Sequence, residues 1–87
     1  MKYEIRKSFI KDASKLSSIS QQQLAETISF IASIVQLSEL KNCKKLKGFT
    51  NAYLIRLGQF RIGFYCENET IELVRILARK DIYRYFP

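Results

Sequence analysis

The 87-residue chain contains no histidine, so any chemistry must come from lysine, arginine, tyrosine or carboxylate side chains. Histidine is the commonest general base and the commonest transition-metal ligand in proteins. The two cysteines, Cys43 and Cys66, lack the paired CxxC spacing of zinc sites, and we interpret both as reduced thiols. We therefore expect no metal and no other cofactor.

Positive charge is concentrated in the second half of the chain. Residues 1–40 carry five Lys or Arg against four Asp or Glu, whereas residues 41–87 carry ten against four. Such an excess indicates a polyanion partner, bound by phosphate neutralisation and counterion release. A basic surface that serves only solubility is the alternative.

A predicted hairpin carries a pair of arginines. Residues 53–57 and 60–66 are predicted strands, and Gly58-Gln59 between them is typical of a type II′ turn. This loop length places Arg56 directly opposite Arg61 on one face of the sheet. Opposed like charges cost about 0.2 to 1 kcal/mol, so a phosphate between them would relieve the repulsion. Alternatively, both arginines extend into solvent or pair with carboxylates.

The two faces of this hairpin differ in character. Tyr65 shares the face of Arg61, and Gly63 leaves space on that face for a close backbone or a base. A gap in packing would explain Gly63 equally well. The other face is predicted to pack under helices and carries Tyr53, Ile55, Leu57, Phe60, Ile62 and Phe64.

Further basic residues follow and precede the hairpin. Cations and aromatic rings alternate in the tail, a mixture suited to gripping phosphates and stacking on unpaired bases: Arg79, Lys80, Tyr83, Arg84, Tyr85 and Phe86. Tyr85 and Phe86 could equally anchor the C-terminus to the core, so Tyr83 is the better functional candidate. Residues 41–48 include four lysines and predict an exposed loop. The sequence does not settle which face of the last predicted strand, residues 70–78, carries Arg75.

The first forty residues predict one strand and two helices. Alternation over residues 3–6 favours a strand with Tyr3 and Ile5 facing inward. Ser8 could cap a first helix that ends near Ser17 or Ser18, with Phe9, Ala13 and Leu16 on its apolar side and Lys11, Asp12 and Lys15 in solvent. Ser20 and Gln23 form a capping box that begins a second helix, whose apolar stripe is predicted to include Leu24, Ile28, Phe30, Ile31, Ile34 and Val35.

These elements predict a single α+β domain over residues 1–87. Their order is β-α-α-β-β-β with a short C-terminal tail, and we expect a helical hairpin packed on a mostly antiparallel sheet. No apolar run reaches the ~20 residues of a membrane span, and the first residues lack the apolar centre of a signal peptide. We therefore expect a cytoplasmic protein without a membrane partner.

Five segments, taken in order, resemble the RelE/ParE toxins of bacterial toxin–antitoxin systems. They are KLKG at residues 45–48, YLIRLG at 53–58, FRIGF at 60–64, RIL at 75–77 and RKDIY at 79–83. RelE-like members are ribosome-dependent endoribonucleases that cut mRNA in the decoding site and so inhibit translation. ParE-like members inhibit DNA gyrase, and both types are normally held inactive by a cognate antitoxin.

The RelE resemblance implies roles for individual residues. Arg56 stands where an active-site base, often lysine, occurs; Arg61 matches the arginine that holds the scissile phosphate. Lys80, or Arg79 after a shift of one, matches the basic residue that assists the leaving group, and Tyr83 the tyrosine that stacks on a base. Leu54 departs from RelE enzymes that have a second lysine there. Further RNA-binding candidates are Lys45, Lys47, Tyr65, Arg75, Arg79 and Arg84.

The implied reaction is metal-independent attack of a ribose 2′-hydroxyl on its own 3′-phosphate. The implied partners are mRNA, the ribosome and an antitoxin whose acidic segment covers the basic face. Two alternatives stay open: a non-catalytic gyrase inhibitor of the ParE type, and an inactive relative that only binds antitoxin or RNA.

Overall fold

A five-stranded sheet with helices against it organises all 87 residues that the computed structural model describes. The elements are β1 (Lys2–Ile5), α1 (Lys7–Ala13), α2 (Ser18–Ser33), a short 3-10 helix (Leu37–Glu39), β2 (Cys43–Lys45), β3 (Ala52–Leu57), β4 (Phe60–Glu67), β5 (Thr70–Ala78) and α3 (Ile82–Tyr85). The strands lie in the order β1-β5-β4-β3-β2, and only the β1/β5 pair is parallel. The predicted α+β fold is confirmed. No helix is both long and apolar enough to cross a membrane.

The central hairpin has the predicted register. Leu57 lies opposite Phe60 and Arg56 opposite Arg61. Gly58 has φ +59°, the positive angle that a type II′ turn requires at its first central residue. The two arginines are therefore neighbours because of a turn only two residues long.

The main core lies between the sheet and helices α1 and α2. The predicted inward face of the hairpin is confirmed, since Ile55, Ile62 and Phe64 are buried there. The full cluster of buried side chains comprises Phe9, Leu24, Ile31, Ile55, Ile62, Phe64, Ile71, Leu73 and Ile76. Burial of each large side chain contributes about 1.5 to 3 kcal/mol, so this layer fixes the sheet against the helices.

A second, smaller core covers the opposite side of the sheet, which we call the open face. There the tail folds back as α3, and Ile82 and Phe86 bury themselves against three strand residues, Ala52, Leu54 and Val74. The tail is therefore part of the fold, and it places α3 over Leu54, which precedes Arg56 by two residues on the same face of β3.

The helix termini differ from the prediction. Arg6, not Ser8, is the N-cap of α1, and the Ser8 hydroxyl instead donates a hydrogen bond of 2.6 Å to the Val74 carbonyl oxygen. The N-cap of α2 is Ser17, whose hydroxyl accepts a hydrogen bond from the Ser20 amide at 3.2 Å. Ser20 therefore lies in the first turn of α2 rather than before it, because Ser17 provides the same capping chemistry three residues earlier.

Several side chains lie in environments that differ from the predicted ones. Asp12, predicted in solvent, is only 6% exposed. Val35, predicted in the apolar stripe of α2, lies beyond the end of that helix and is 83% exposed. Tyr3 and Ile5 are 39% and 40% exposed, because β1 is an edge strand that the helices cover only in part.

Residues 41–48 also differ from the predicted loop. Cys43–Lys45 form β2, an edge strand antiparallel to β3. Its two lysines are exposed, as is common where a protein protects a sheet edge from pairing with another chain. The extra strand extends the sheet beyond Arg56 and creates one wall of the site described next.

Candidate active site

A cleft of about 390 Å³ lies at one end of the open face. Its lining residues come from β2, β3, β4 and the turn before β2, and they are Asn42, Cys43, Lys44, Leu54, Arg56 and Arg61. Arg56 and Arg61 enter this cleft from adjacent strands, at directly opposite positions. The cleft is thus lined by two guanidinium groups, each of which can donate two parallel hydrogen bonds to an anion.

Neither arginine is neutralised by a carboxylate. Arg56 Nη2 donates to Asn42 Oδ1 at 3.1 Å, and Arg61 Nη1 donates to the backbone carbonyls of Gly58 and Phe60 at 2.9 and 2.8 Å. The two ion pairs of the molecule involve other arginines, Arg6 and Arg75. Since a guanidinium has five N–H donors, each cleft arginine retains free donors and its full charge for a ligand.

Lys44 brings a third cation to the cleft. Its backbone lies opposite Leu54, and its ammonium nitrogen is 5.7 Å from the ring centroid of Tyr83. This cation–π contact connects β2 to α3 and places Tyr83 at the margin of the cleft. Sequence reasoning missed Lys44 because residues 41–48 were interpreted as a loop; as a strand, they direct alternate side chains to the open face.

The segment that begins the basic tail lies against the turn of the hairpin. Arg79 donates its backbone N–H to the Gln59 carbonyl at 2.9 Å, which holds the segment before α3 against that turn. The Arg79, Lys80 and Arg84 side chains are exposed, and Tyr83 is 56% exposed. The structure therefore gathers part of the predicted tail around the end of the sheet that carries the arginine pair.

Arg75 occupies the open face but is engaged elsewhere. It lies opposite Gly63, and its Nε and Nη2 donate to the Asp12 carboxylate at 2.7 and 3.0 Å. The hydrogen bond with Asp12 raises the pKa of Arg75 further above its ordinary value. The guanidinium carbon also lies 5.3 Å from the ring centroid of Tyr85. Arg75 thus connects α1 to α3 instead of joining the arginine pair.

The other RNA-binding candidates lie outside the cleft. Tyr65 is half-buried on the open face, where its ring packs on that of Phe86 with centroids 5.2 Å apart. Lys45 lies opposite Tyr53, on the helix side of the sheet, and Lys47 lies exposed between β2 and β3.

The space above Gly63 is filled by Phe86. A Cβ atom at Gly63 would lie 2.6 Å from ring atoms of Phe86, far inside van der Waals contact. Phe86 is itself 2% exposed and acts as the anchor of the tail. The structure therefore shows neither space for a base nor an open gap at Gly63, because the protein's own Phe86 ring packs there.

The far end of the open face has the opposite character. A second cleft there is lined by Glu4, Glu67 and Glu72, with Arg6 as its basic residue. Arg6 is bound by Glu72, through hydrogen bonds of 2.8 and 3.1 Å. The open face therefore carries opposite charge at its two ends, basic at the arginine pair and acidic beyond Tyr65.

Comparisons with known proteins find relatives over the whole chain. Toxin RelE3 of Methanocaldococcus jannaschii is 38% identical over 88 residues, which is 100% of both chains. Among solved structures, a chain of the RelB–RelE antitoxin–toxin complex from Methanococcus jannaschii has 35% identity and a TM-score of 0.82, over 97% of this chain and 99% of that one. A chain of the archaeal RelE–RelB complex from Pyrococcus horikoshii OT3 has 19% identity and a TM-score of 0.75, over 93% and 97%. No family model matches the sequence.

Proposed function

The chain belongs to the RelE family of toxins, and on this premise we propose that it is a ribosome-dependent endoribonuclease that cuts mRNA in the decoding site. Its action would stop translation in the cytoplasm, where its substrate is. The observation that carries the proposal is the uncompensated pair Arg56 and Arg61 in one cleft.

The chemistry follows from these two cations. When a 2′-hydroxyl attacks its own 3′-phosphate, negative charge builds up on the non-bridging oxygens of the phosphorane. Arginines fixed on two paired strands can stabilise that charge with little reorganisation, and removal of such a donor typically costs about 10²- to 10³-fold in rate. Arginine stays protonated, so Arg56 can bind the phosphate but is a poor base.

The remaining candidates have supporting roles in this proposal. Tyr83 at the cleft margin would stack on a base next to the cut, and exposed Lys80 would protonate the leaving 5′-oxygen. Lys45, Lys47, Arg79 and Arg84 would contact phosphates of the message or of ribosomal RNA. With so few reactive groups, positioning of the message by the ribosome would supply much of the acceleration.

A cognate antitoxin is the second proposed partner. The Methanococcus jannaschii and Pyrococcus horikoshii relatives were each solved as complexes with a RelB chain. For this chain we expect a partner whose acidic segment folds over the basic end of the open face. Isolation of the native complex should recover such a protein in stoichiometric amount, and recovery of the toxin alone would contradict the expectation.

The test is primer extension on a reporter message translated in a cell-free system. Wild type should cut within codons only when ribosomes translate the message, and Arg61→Ala should lower cleavage about 10²- to 10³-fold. Arg6→Ala is the matched control, because it removes an arginine from the acidic end of the same face and should leave cleavage unchanged. Intact messages together with loss of gyrase supercoiling would instead establish a ParE-like inhibitor, and no effect on either would indicate an inactive binding protein.

A further inference from the structure

The proposed reaction needs a group that accepts the 2′-hydroxyl proton. Neither cleft arginine can do so, because a guanidinium remains protonated in proteins. The Asn42 amide and the Leu54 side chain have no proton chemistry to offer. The acceptor must therefore be another residue that reaches the cleft.

The two remaining lining residues are Cys43 and Lys44. Cys43 lies opposite Ile55, whose side chain belongs to the helix-side core, so its thiol is directed away from the open face. Burial, with a smaller contribution from Cys66, also raises the pKa of the Cys43 thiol to about 11. Lys44 alternates with Cys43 along β2 and is directed to the open face.

We propose that Lys44 is a catalytic residue, the general base that takes the proton from the attacking 2′-hydroxyl; this inference rests on the proposed RNA cleavage. Lys44 lies opposite Leu54, and Leu54 is two residues before Arg56 on the same face of β3. Two strand residues span about 7 Å, a distance that the four-methylene stem of a lysine covers.

The amine of Lys44 is not held by a charged side chain. It forms no ion pair with a carboxylate, and its one aromatic contact is the ring of Tyr83, 5.7 Å away. The contact positions the exposed side chain at the cleft margin.

The step balances as follows. The 2′-oxygen forms a bond to phosphorus while its proton moves to the neutral Nζ of Lys44, which becomes an ammonium. The bond from phosphorus to the 5′-oxygen breaks, and that oxygen takes a proton from the ammonium of Lys80. The products are a 2′,3′-cyclic phosphate and a free 5′-hydroxyl, and the two lysines exchange protons with solvent before the next turnover.

The experiment measures single-turnover cleavage of a synthetic message on programmed ribosomes across pH, using wild type, Lys44→Ala and Lys44→Arg. Wild-type cleavage should accelerate as pH rises, because the neutral amine is the active form. Both variants should be about 10²- to 10⁴-fold slower and lose this pH dependence. Added methylamine should partly restore Lys44→Ala but leave Lys44→Arg unchanged.

Controls separate this role from charge, folding and the proposed function. Lys15→Ala removes an exposed lysine between α1 and α2 and should cleave as wild type does. Unfolding midpoints should be unchanged for the Lys44 variants, since the side chain is exposed. Full activity of Lys44→Arg, or of Lys44→Ala, would overturn the base role while leaving RNA cleavage intact. Failure of wild type to cleave any message would overturn both proposals.

Discussion

Gly63 determines how closely the tail packs on the open face. The Phe86 ring lies where a Cβ would be, and this contact holds the end of the chain over the sheet. Phe86 also packs on Tyr65, so one glycine permits a tilted contact between two aromatic rings in the second core. The position of α3, and with it Tyr83, follows from the absence of a side chain at residue 63.

Gly63→Ala should therefore destabilise the protein by about 1 to 3 kcal/mol, the usual cost of overpacking. Urea unfolding followed by circular dichroism measures the change. In the background of Phe86→Ala the same substitution should cost much less, because the ring that it meets is gone. Equal costs in the two backgrounds would show that Phe86 does not limit the space at Gly63.

At the scale of elements, one carboxylate joins α1 to the edge of β5. Asp12 accepts hydrogen bonds from the Arg75 guanidinium and from the backbone N–H of Ile76, the latter at 3.1 Å. Beyond the end of short β1, this N–H would otherwise be a buried donor without a partner. The carboxylate thus completes the edge of the sheet where a strand is missing.

Asp12→Ala should cost about 2 to 4 kcal/mol, since it leaves Arg75 without its counterion and Ile76 without an acceptor. The matched control is Glu72→Ala, which breaks the more exposed ion pair with Arg6 and should cost below about 1 kcal/mol. The urea midpoints of the two variants, measured side by side, compare these losses of stability. Similar losses for the two variants would argue against a structural role for the Asp12 contact.

The turn between β4 and β5 contains backbone strain. Asn68 and Glu69 have φ of +50° and +61°, as in a type I′ turn, and glutamate is poorly suited to this region. Glu69→Gly should therefore stabilise the protein by about 0.5 to 1 kcal/mol, because Asn-Gly is the preferred sequence for such a turn. Thermal unfolding measures the shift in midpoint temperature. The control is Glu67→Gly, in β4, which should destabilise the protein. A lower midpoint for Glu69→Gly would contradict the assignment of strain.

The parts of the fold that depend on residues close together in the chain could be predicted from the sequence. The register of Arg56 and Arg61 follows from a two-residue turn, and the inward face of the hairpin follows from alternation. The contact of Asp12 with Arg75 could not be predicted, because the two residues lie 63 positions apart and only the folded sheet brings them together. Strand β2 was missed for the same reason, since its three residues are held by β3 and not by their own propensity.

The candidate site was predictable only in part. Its two arginines were found from the hairpin alone, and the proximity of Tyr83 to their cleft depends on tertiary packing. The sequence could not reveal that Tyr83 is positioned by a buried tail, because Phe86 and Gly63 give no local signal of their contact. Lys44 could be recognised as a site residue only once residues 43–45 were known to form β2.

For the whole molecule, charge is arranged along the open face rather than spread evenly. The basic end carries Lys44, Arg56 and Arg61, and the acidic end carries Glu4, Glu67 and Glu72. A net charge of +7 would attract the proposed RNA substrate from any direction, but the separation of charge along the open face would orient a strand towards the cleft. The acidic end would repel phosphates that approach the wrong end.

Binding of a short single-stranded RNA should therefore depend on salt in part through the basic end. If Lys44, Arg56 and Arg61 neutralise about three phosphates, they should contribute about −2 to the slope of log K against log salt. The double variant Arg56→Ala/Arg61→Ala should reduce the size of this slope by about 1.4, as expected for two lost contacts at about 0.7 each. Fluorescence anisotropy at several salt concentrations measures it, with Arg6→Ala as the control that keeps the wild-type slope. An unchanged slope in the double variant would mean that phosphates bind outside the cleft, which would contradict the arginine pair as the proposed RNA site.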